Sequence, residues 1–194
     1  MCGRTTSCTS PGRIAEIFDA EPAAGLDDRD GPTWNIGPTC TLFGLTVAAA
    51  PSAAAPGCPG RLVLDGYRWG LIPAWAEDAS PGSRLFNARS ETVATKPAFR
   101  HAFRSRRLAV VVDGFFEWRR GPGGRGQPFY FRRSAGLPIT FAGLWETWHD
   151  PIAGTSVRSC TIVTTVAGAD MEGVHDRMPV VLERHQLGRW VSPG

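Results

Sequence analysis

The sequence predicts an α+β domain, mostly β, built as a bent antiparallel sheet or barrel with a few short helices. Three observations carry that expectation. Runs of β-branched and aromatic residues recur along the chain, each bounded by Gly or Pro. Helical periodicity is confined to stretches of about two turns. Strand and helix signals do not alternate as they do in a doubly wound sheet. The 194 residues, 42% of them hydrophobic, suffice for one core without disulfides or metals, so residues 1–194 are expected to form a single domain.

The elements follow in order. Ser10-Pro11, with Ile14, Ile17 and Phe18 behind them, reads as a capped helix of about two turns. Residues 19–33 mix acids with Pro and Gly and read as a loop; the Ala/Pro-rich residues 48–60 read as a second, flexible one. Strands are expected at 40–47, 61–69, 107–112, 115–118, 128–133, 138–145 and 158–165, with 121–127 as a hairpin loop. A helix is expected at 96–103, with Phe99 and Phe103 inward and Arg100 and Arg104 as an outward basic stripe; another is expected at 183–191.

Composition excludes several classes of protein. Nowhere are there about 18 consecutive apolar residues, so no spanning helix is expected. The opening Met1-Cys2-Gly3-Arg4-Thr5 carries no apolar signal run, so a cytoplasmic location is expected. Five scattered cysteines without a Cys-x-x-Cys, and four histidines without ligand spacing, predict neither a disulfide framework nor a metal site. The net charge of +3 is unevenly spread. Residues 84–133 hold eleven Arg and one Lys against three acids, and both flanks are net acidic. Such a basic stretch suits an anionic partner or a solvated basic face.

Cys2 is the first chemical candidate. A small second residue favours removal of Met1, which would make Cys2 the N-terminus. Its α-amine, with a pKa near ~7.7–8.0, would then be partly neutral at pH 7, beside a thiol of pKa near ~8.5. An amine and a thiol on adjacent carbons trap aldehydes: one gives an imine, the other closes a thiazolidine. An ordinary cysteine that follows Met is the alternative.

Asn35, in Thr33-Trp34-Asn35-Ile36-Gly37-Pro38-Thr39, can orient a substrate oxygen or fix a turn. Trp69 and Trp75 flank a Gly…Pro turn and can stack on unpaired bases or fill a core. Phe86-Asn87-Ala88-Arg89-Ser90-Glu91-Thr92 reads as a passage from loop to helix, where Asn87 and Arg89 can hold a phosphate at the helix start. Strand alternation puts Glu117 on one face with Phe115, opposite Phe116 and Trp118. A carboxylate on an apolar face tends toward a raised pKa and acid–base work; an exposed sheet position is the alternative. His175, in Val174-His175-Asp176-Arg177-Met178-Pro179, suits proton transfer at neutral pH or a structural hydrogen bond.

Together the ordered blocks M-C-G-R, W-N-I-G-P-T, R-W-G-L-I-P-x-W, N-A-R-S-E-T, G-F-F-E-W and H-D-R-M-P closely resemble the SRAP family (SOS-response-associated peptidase domains), over residues 1 to about 182. The resemblance implies a sensor of abasic sites in single-stranded DNA. It implies a covalent crosslink from N-terminal Cys2 to the ring-opened sugar aldehyde, with strand scission or crosslink reversal as associated activities. It assigns Cys2 as nucleophile, Asn35 as a positioner of sugar or amine, and Glu117 and His175 as proton managers. Arg4, Asn87 and Arg89 match positions that hold DNA backbone, Pro38 and Trp75 match positions that pack against bases, and Thr164 matches a threonine near the reactive pocket. No cofactor, metal or membrane is implied, and the protein is expected to act as a cytoplasmic monomer, nucleoid-associated when bound to DNA. The family pattern continues past the last block with a further helix and closing strands, whereas this sequence ends at Gly194. Two other readings fit parts of the pattern: a peptidase or hydrolase using Cys2 with His175, and a non-covalent single-strand-binding module with an inert Cys2.

Overall fold

A computed structural model describes residues 2–26, 32–48, 60–121 and 126–192. In chain order the elements are β1 (Arg4–Ser7), α1 (Pro11–Phe18), β2 (Ala20–Pro22), β3 (Thr33–Ile36), β4 (Thr41–Val47), β5 (Leu62–Trp69), β6 (Asn87–Arg89), α2 (Arg100–Ser105), β7 (Arg107–Val112), β8 (Gly114–Arg120), β9 (Gly126–Arg132), β10 (Ile139–His149), β11 (Ser156–Val166), β12 (Arg177–Pro179), β13 (Val181–Leu182) and α3 (Arg184–Val191).

Alternation along five strands decides the architecture. β5, β4, β7, β10 and β11 are antiparallel neighbours in that order. β11 then returns to β5 in parallel, with Ser159 opposite Arg68 and Cys160 opposite Trp69, which closes a five-stranded barrel. Closure removes the edges that such a sheet would otherwise expose. Leu42, Tyr67, Trp69, Leu108, Val110, Val112, Phe141, Cys160 and Ile162 fill the interior. The intervening residues Leu45, Leu64, Ala109, Val111, Ala142, Leu144 and Val163 point outward, under α1, α2 and α3. The interior is narrow. A Cβ on Gly44 would lie 2.3 Å from Leu108 Cδ1 and 3.1 Å from Tyr67, so any larger residue there must push the Leu108 side chain aside.

The helices are amphipathic covers. Ser10 caps α1, its Oγ accepting from the Arg13 N–H at 3.3 Å, and Ile14, Ala15 and Phe18 are buried. α3 begins with a capping box between Glu183 and Gln186 and buries Leu187 and Val191 on the barrel wall. A cap of this kind contributes about 0.5–2 kcal/mol.

A second, four-stranded sheet in the order β3-β1-β8-β9 adjoins the barrel interior. Phe115 stacks on Phe131 at 5.1 Å and meets Phe141 edge-on at 5.6 Å, so the inner face of this sheet continues the interior core. Asp113, between β7 and β8, ties the start of the chain to this junction: its carboxylate accepts from the backbone N–H groups of Cys8 and Thr9 and from the Thr9 hydroxyl. The expected mostly-β α+β architecture is therefore the one observed.

All seven expected strands are present, that at 107–112 with its expected ends and the other six with shifted ends; β10 runs on to His149. Several local expectations need correction. The loop expected at 19–33 contains β2, which pairs in parallel with β5, and ends in β3; its residues 27–31 lie outside the described residues. Asn35 therefore sits within a strand and not in a turn. Most of the expected 48–60 loop, and 122–125 of the hairpin loop, also lie outside them. The helix expected at 96–103 begins only at Arg100, because no side chain caps it and Pro97 disfavours helical backbone at Lys96. Phe99 is buried, Phe103 is half-buried, and Arg100 and Arg104 face solvent. Residues 87–89 form a strand beside β11 and not a helix start, so the helix-terminus phosphate site does not exist. A three-residue strand is held by its partner, and its own sequence carries no such signal. Among the described residues, no helix is long and apolar enough to cross a membrane.

Candidate functional site

Cys2 lies just before β1, where the small sheet meets the barrel, and is fully enclosed. Two contacts fix it. The Asn87 amide Nδ2 donates to the Cys2 carbonyl at 2.7 Å, across 85 residues of sequence. The Arg4 backbone N–H bonds to the thiol. Burial pushes the thiol pKa far above its ordinary value, and the nearby Glu117 carboxylate pushes it the same way; the N-terminal amino group and then the Arg4 N–H oppose them only in part. At neutral pH the group is a thiol.

Glu117 is 3% exposed on β8, on the inner face with Phe115, as alternation predicts. The exposed-sheet alternative is thereby excluded. Glu117 and His175 line one concavity of about 540 Å³, with Trp118, Arg120, Gly121 and Gly126. A second concavity of about 350 Å³ adjoins it, lined by Trp118, Arg119, Arg120 and residues 173–176. His175 is held by its own chain: the Arg177 backbone N–H lies 2.9 Å from Nδ1. The Asp176 carboxylate lies 2.9 Å from the same nitrogen, but it is largely exposed and its effect is screened.

On the other side of β1, Arg4 Nη1 donates to Asn35 Oδ1 at 3.3 Å, and its guanidinium lies over Gly37. Pro38 follows at the rim, half-buried. Thr39 adopts a φ of 78°, unusual for a β-branched residue, and its N–H is tied to the Trp69 carbonyl at 2.7 Å. The two tryptophans of the R-W-G-L-I-P-x-W block divide the possible roles. Trp69 is buried and donates its indole N–H to the Phe86 carbonyl at 2.9 Å, whereas Trp75 is 69% exposed. Gly70 between them has a φ of 121°, and its Cβ position is occupied by the Gly82 carbonyl, so this turn requires glycine.

The structure thus gathers Cys2, Asn87 and Glu117 around one point and places Glu117 and His175 in one concavity. Arg4 and Asn35 form a neighbouring pair, and Arg89 is exposed at the end of β6. Thr164 is different: fully enclosed on β11 opposite Arg89, its hydroxyl donates to the Ala88 carbonyl at 3.5 Å.

Sequence reasoning missed the pair that locks two of the motif blocks together. Arg177 forms a fork on Glu91, Nη1 to Oε1 at 2.5 Å and Nη2 to Oε2 at 3.0 Å, and Nη2 also donates to the Thr164 carbonyl at 2.8 Å. Each block contributes one charge of opposite sign, which is the only signal that pointed to it. Trp34, beside Asn35, is exposed on β3.

A closed five-stranded barrel, with a small sheet that carries an enclosed cysteine at position 2 beside a carboxylate, defines a class of protein. A sequence model of that class, described as SOS response associated peptidase (SRAP), matches residues 1–194, and this chain belongs to the SRAP family. The abasic site processing protein YoqW of Bacillus subtilis is 35% identical over 193 residues, covering 100% of this chain and 81% of YoqW. The abasic site processing protein HMCES of Gallus gallus is 27% identical over 223 residues, covering 99% of this chain and 66% of HMCES. Among solved structures, a phage-related protein from Bordetella bronchiseptica is similar with a TM-score of 0.68 and 27% identity, over 99% of this chain and 82% of that one. A protein from Bacteroides thetaiotaomicron shares the fold with a TM-score of 0.80 at 20% identity, over 99% of this chain and 82% of that one.

Proposed function

We propose that this chain captures abasic sites in single-stranded DNA through a covalent bond to Cys2, after removal of Met1. The observation that carries this reading is the placement of Cys2, whose carbonyl is held by Asn87 and whose neutral thiol lies near the Glu117 carboxylate. A thiolate peptidase needs the opposite electrostatics, a thiol whose pKa is lowered by its surroundings. An aldehyde trap works with a neutral thiol, because the amine attacks first.

The abasic sugar opens when a proton leaves its C1′ hydroxyl and another reaches the ring oxygen; Glu117 is the group that moves them. The Cys2 amine adds to the C1′ aldehyde, and the carbinolamine loses one water to give an imine. The thiol sulfur then adds to the imine carbon, and its proton passes to the nitrogen. The product is a thiazolidine, formed with net loss of one water and no redox change. His175, across the same concavity, serves protons on the sugar side and in reversal or strand scission. Arg4 and Arg89 hold phosphates, and Pro38 and Trp75 pack against neighbouring bases. Asn35 orients Arg4, and Asn87 positions Cys2 as well as the strand. Thr164 supports Arg89 from within, through strand pairing.

The test is an intact-mass spectrum of the protein before and after incubation with a single-stranded oligonucleotide carrying one abasic site. Loss of Met1 followed by a one-to-one adduct that survives denaturation is the expected result. Cys2→Ala should abolish the adduct and retain salt-sensitive binding. An adduct that forms at the wild-type rate in Cys2→Ala would falsify the mechanism.

A further inference from the structure

We infer that the outward face of the four-stranded sheet is a second stacking surface, one that takes unpaired nucleotides flanking the abasic site on the same strand. The inference rests on the DNA-capture reading and extends it to residues that reading does not use.

Alternation sends Phe115 and Glu117 inward, so Phe116, Trp118 and Arg120 of β8 point outward. Register brings partners to the same face. Arg4, Phe116 and Tyr130 form one row across β1, β8 and β9; Trp118 faces Pro128; Thr6, Gly114 and Arg132 form the row behind. The Phe116 ring lies 4.8 Å from Tyr130 and 6.3 Å from Trp118, so three aromatic rings are contiguous.

Tyr130 lies down on the sheet. A Cβ on Gly114 would meet its ring at 2.4–2.5 Å, and its hydroxyl is 2.8 Å from the Thr6 hydroxyl, which pins the far end. A ring laid flat in this way turns one π-face to solvent, and Tyr130 and Trp118 are 38% and 39% exposed. Exposed Arg4, Arg120 and Arg132 lie on the same face, to which β1, β8 and β9 contribute no carboxylate. Flat rings interleaved with arginines suit bases and phosphates and not an apolar protein surface. The face is also continuous with the Cys2 site: Arg4 bonds to Asn35, and Trp118 lines the concavity of Glu117 and His175.

The experiment measures fluorescence anisotropy with two single strands, of about 16 and about 4 nucleotides, the range over which such sites vary in size. Each carries a tetrahydrofuran abasic analogue, which has no aldehyde and cannot crosslink. Wild type should bind the long strand more tightly by more than charge count predicts. Tyr130→Ala should weaken long-strand binding by roughly 5-fold or more, the effect of losing one stacked base, and shrink the ratio of the two dissociation constants. Tyr130→Phe should preserve that ratio. Arg132→Gln, on an exposed side chain, guards against a folding defect in Tyr130→Ala and should lower the salt slope of the long strand by about one phosphate contact. An unchanged ratio in Tyr130→Ala and an unchanged slope in Arg132→Gln would overturn the inference. Failure of the capture reading shows separately, as absence of an adduct between wild type and a strand with a genuine aldehyde.

Discussion

The barrel and the small sheet beside it are built from the same kind of strand and do opposite work. The barrel interior is filled with side chains so closely that a methyl group on Gly44 would have to displace the Leu108 side chain. The small sheet uses alternation to separate two environments: Glu117 faces in toward Cys2, and the neighbouring residues Phe116 and Trp118 face out. A closed barrel can do little chemistry because nothing enters it. A sheet laid against its end gains a rigid apolar floor on one side and solvent on the other, which is where an enclosed cysteine can meet a ligand.

That contrast can be broken from either side. The largest effect is expected at the sheet: Glu117→Gln keeps the shape and removes the proposed proton carrier, so adduct formation should slow by about 100-fold or more with little change in DNA affinity. Stopped-quench time courses with an abasic oligonucleotide read this directly. In the barrel, Leu108→Ala should cost about 2–5 kcal/mol and Gly44→Ala about 1–3 kcal/mol in urea unfolding. The Gly44→Ala methyl would point at Leu108 Cδ1, so the double variant should be less destabilised than the two single effects added together. Strict additivity would show that the interior is not packed as described.

The smallest effect tests the lock between the two motif blocks. The Arg177 fork holds the Glu91 carboxyl at about 2, well below its ordinary 4.5. A carboxyl whose pKa is depressed by folding stabilises the native state above its unfolded value. That stabilisation is lost as the pH falls from about 4.5 toward about 2. Glu91 is 47% exposed, so the effect is modest. Glu91→Gln should lower the urea midpoint slightly at pH 7 and flatten its fall across that acid window.

Much of this was legible in the sequence because it is local. The β-branched run of 107–112 marked a barrel strand, alternation over 115–118 put Glu117 on the face of Phe115, and Ser10-Pro11 marked the start of α1. The short strands β2, β6, β12 and β13 were not legible, since two or three residues contain no period and exist only by pairing with a longer neighbour. Asn87 shows the same limit at the site. Its block was readable, but its hold on the Cys2 carbonyl depends on where β11 places β6.

The sequence by itself determined the seven longer strands, the aminothiol-forming cysteine at position 2 and the identities of the polar residues in the motif blocks. The tertiary structure alone decided that β11 closes on β5 in parallel, that Arg177 grips Glu91, and that Cys2 is buried as a thiol beside Glu117. The physical reason is range. Alternation and capping are set by neighbours along the chain, whereas closure, ion pairing and desolvation are set by segments that meet only once the chain has folded.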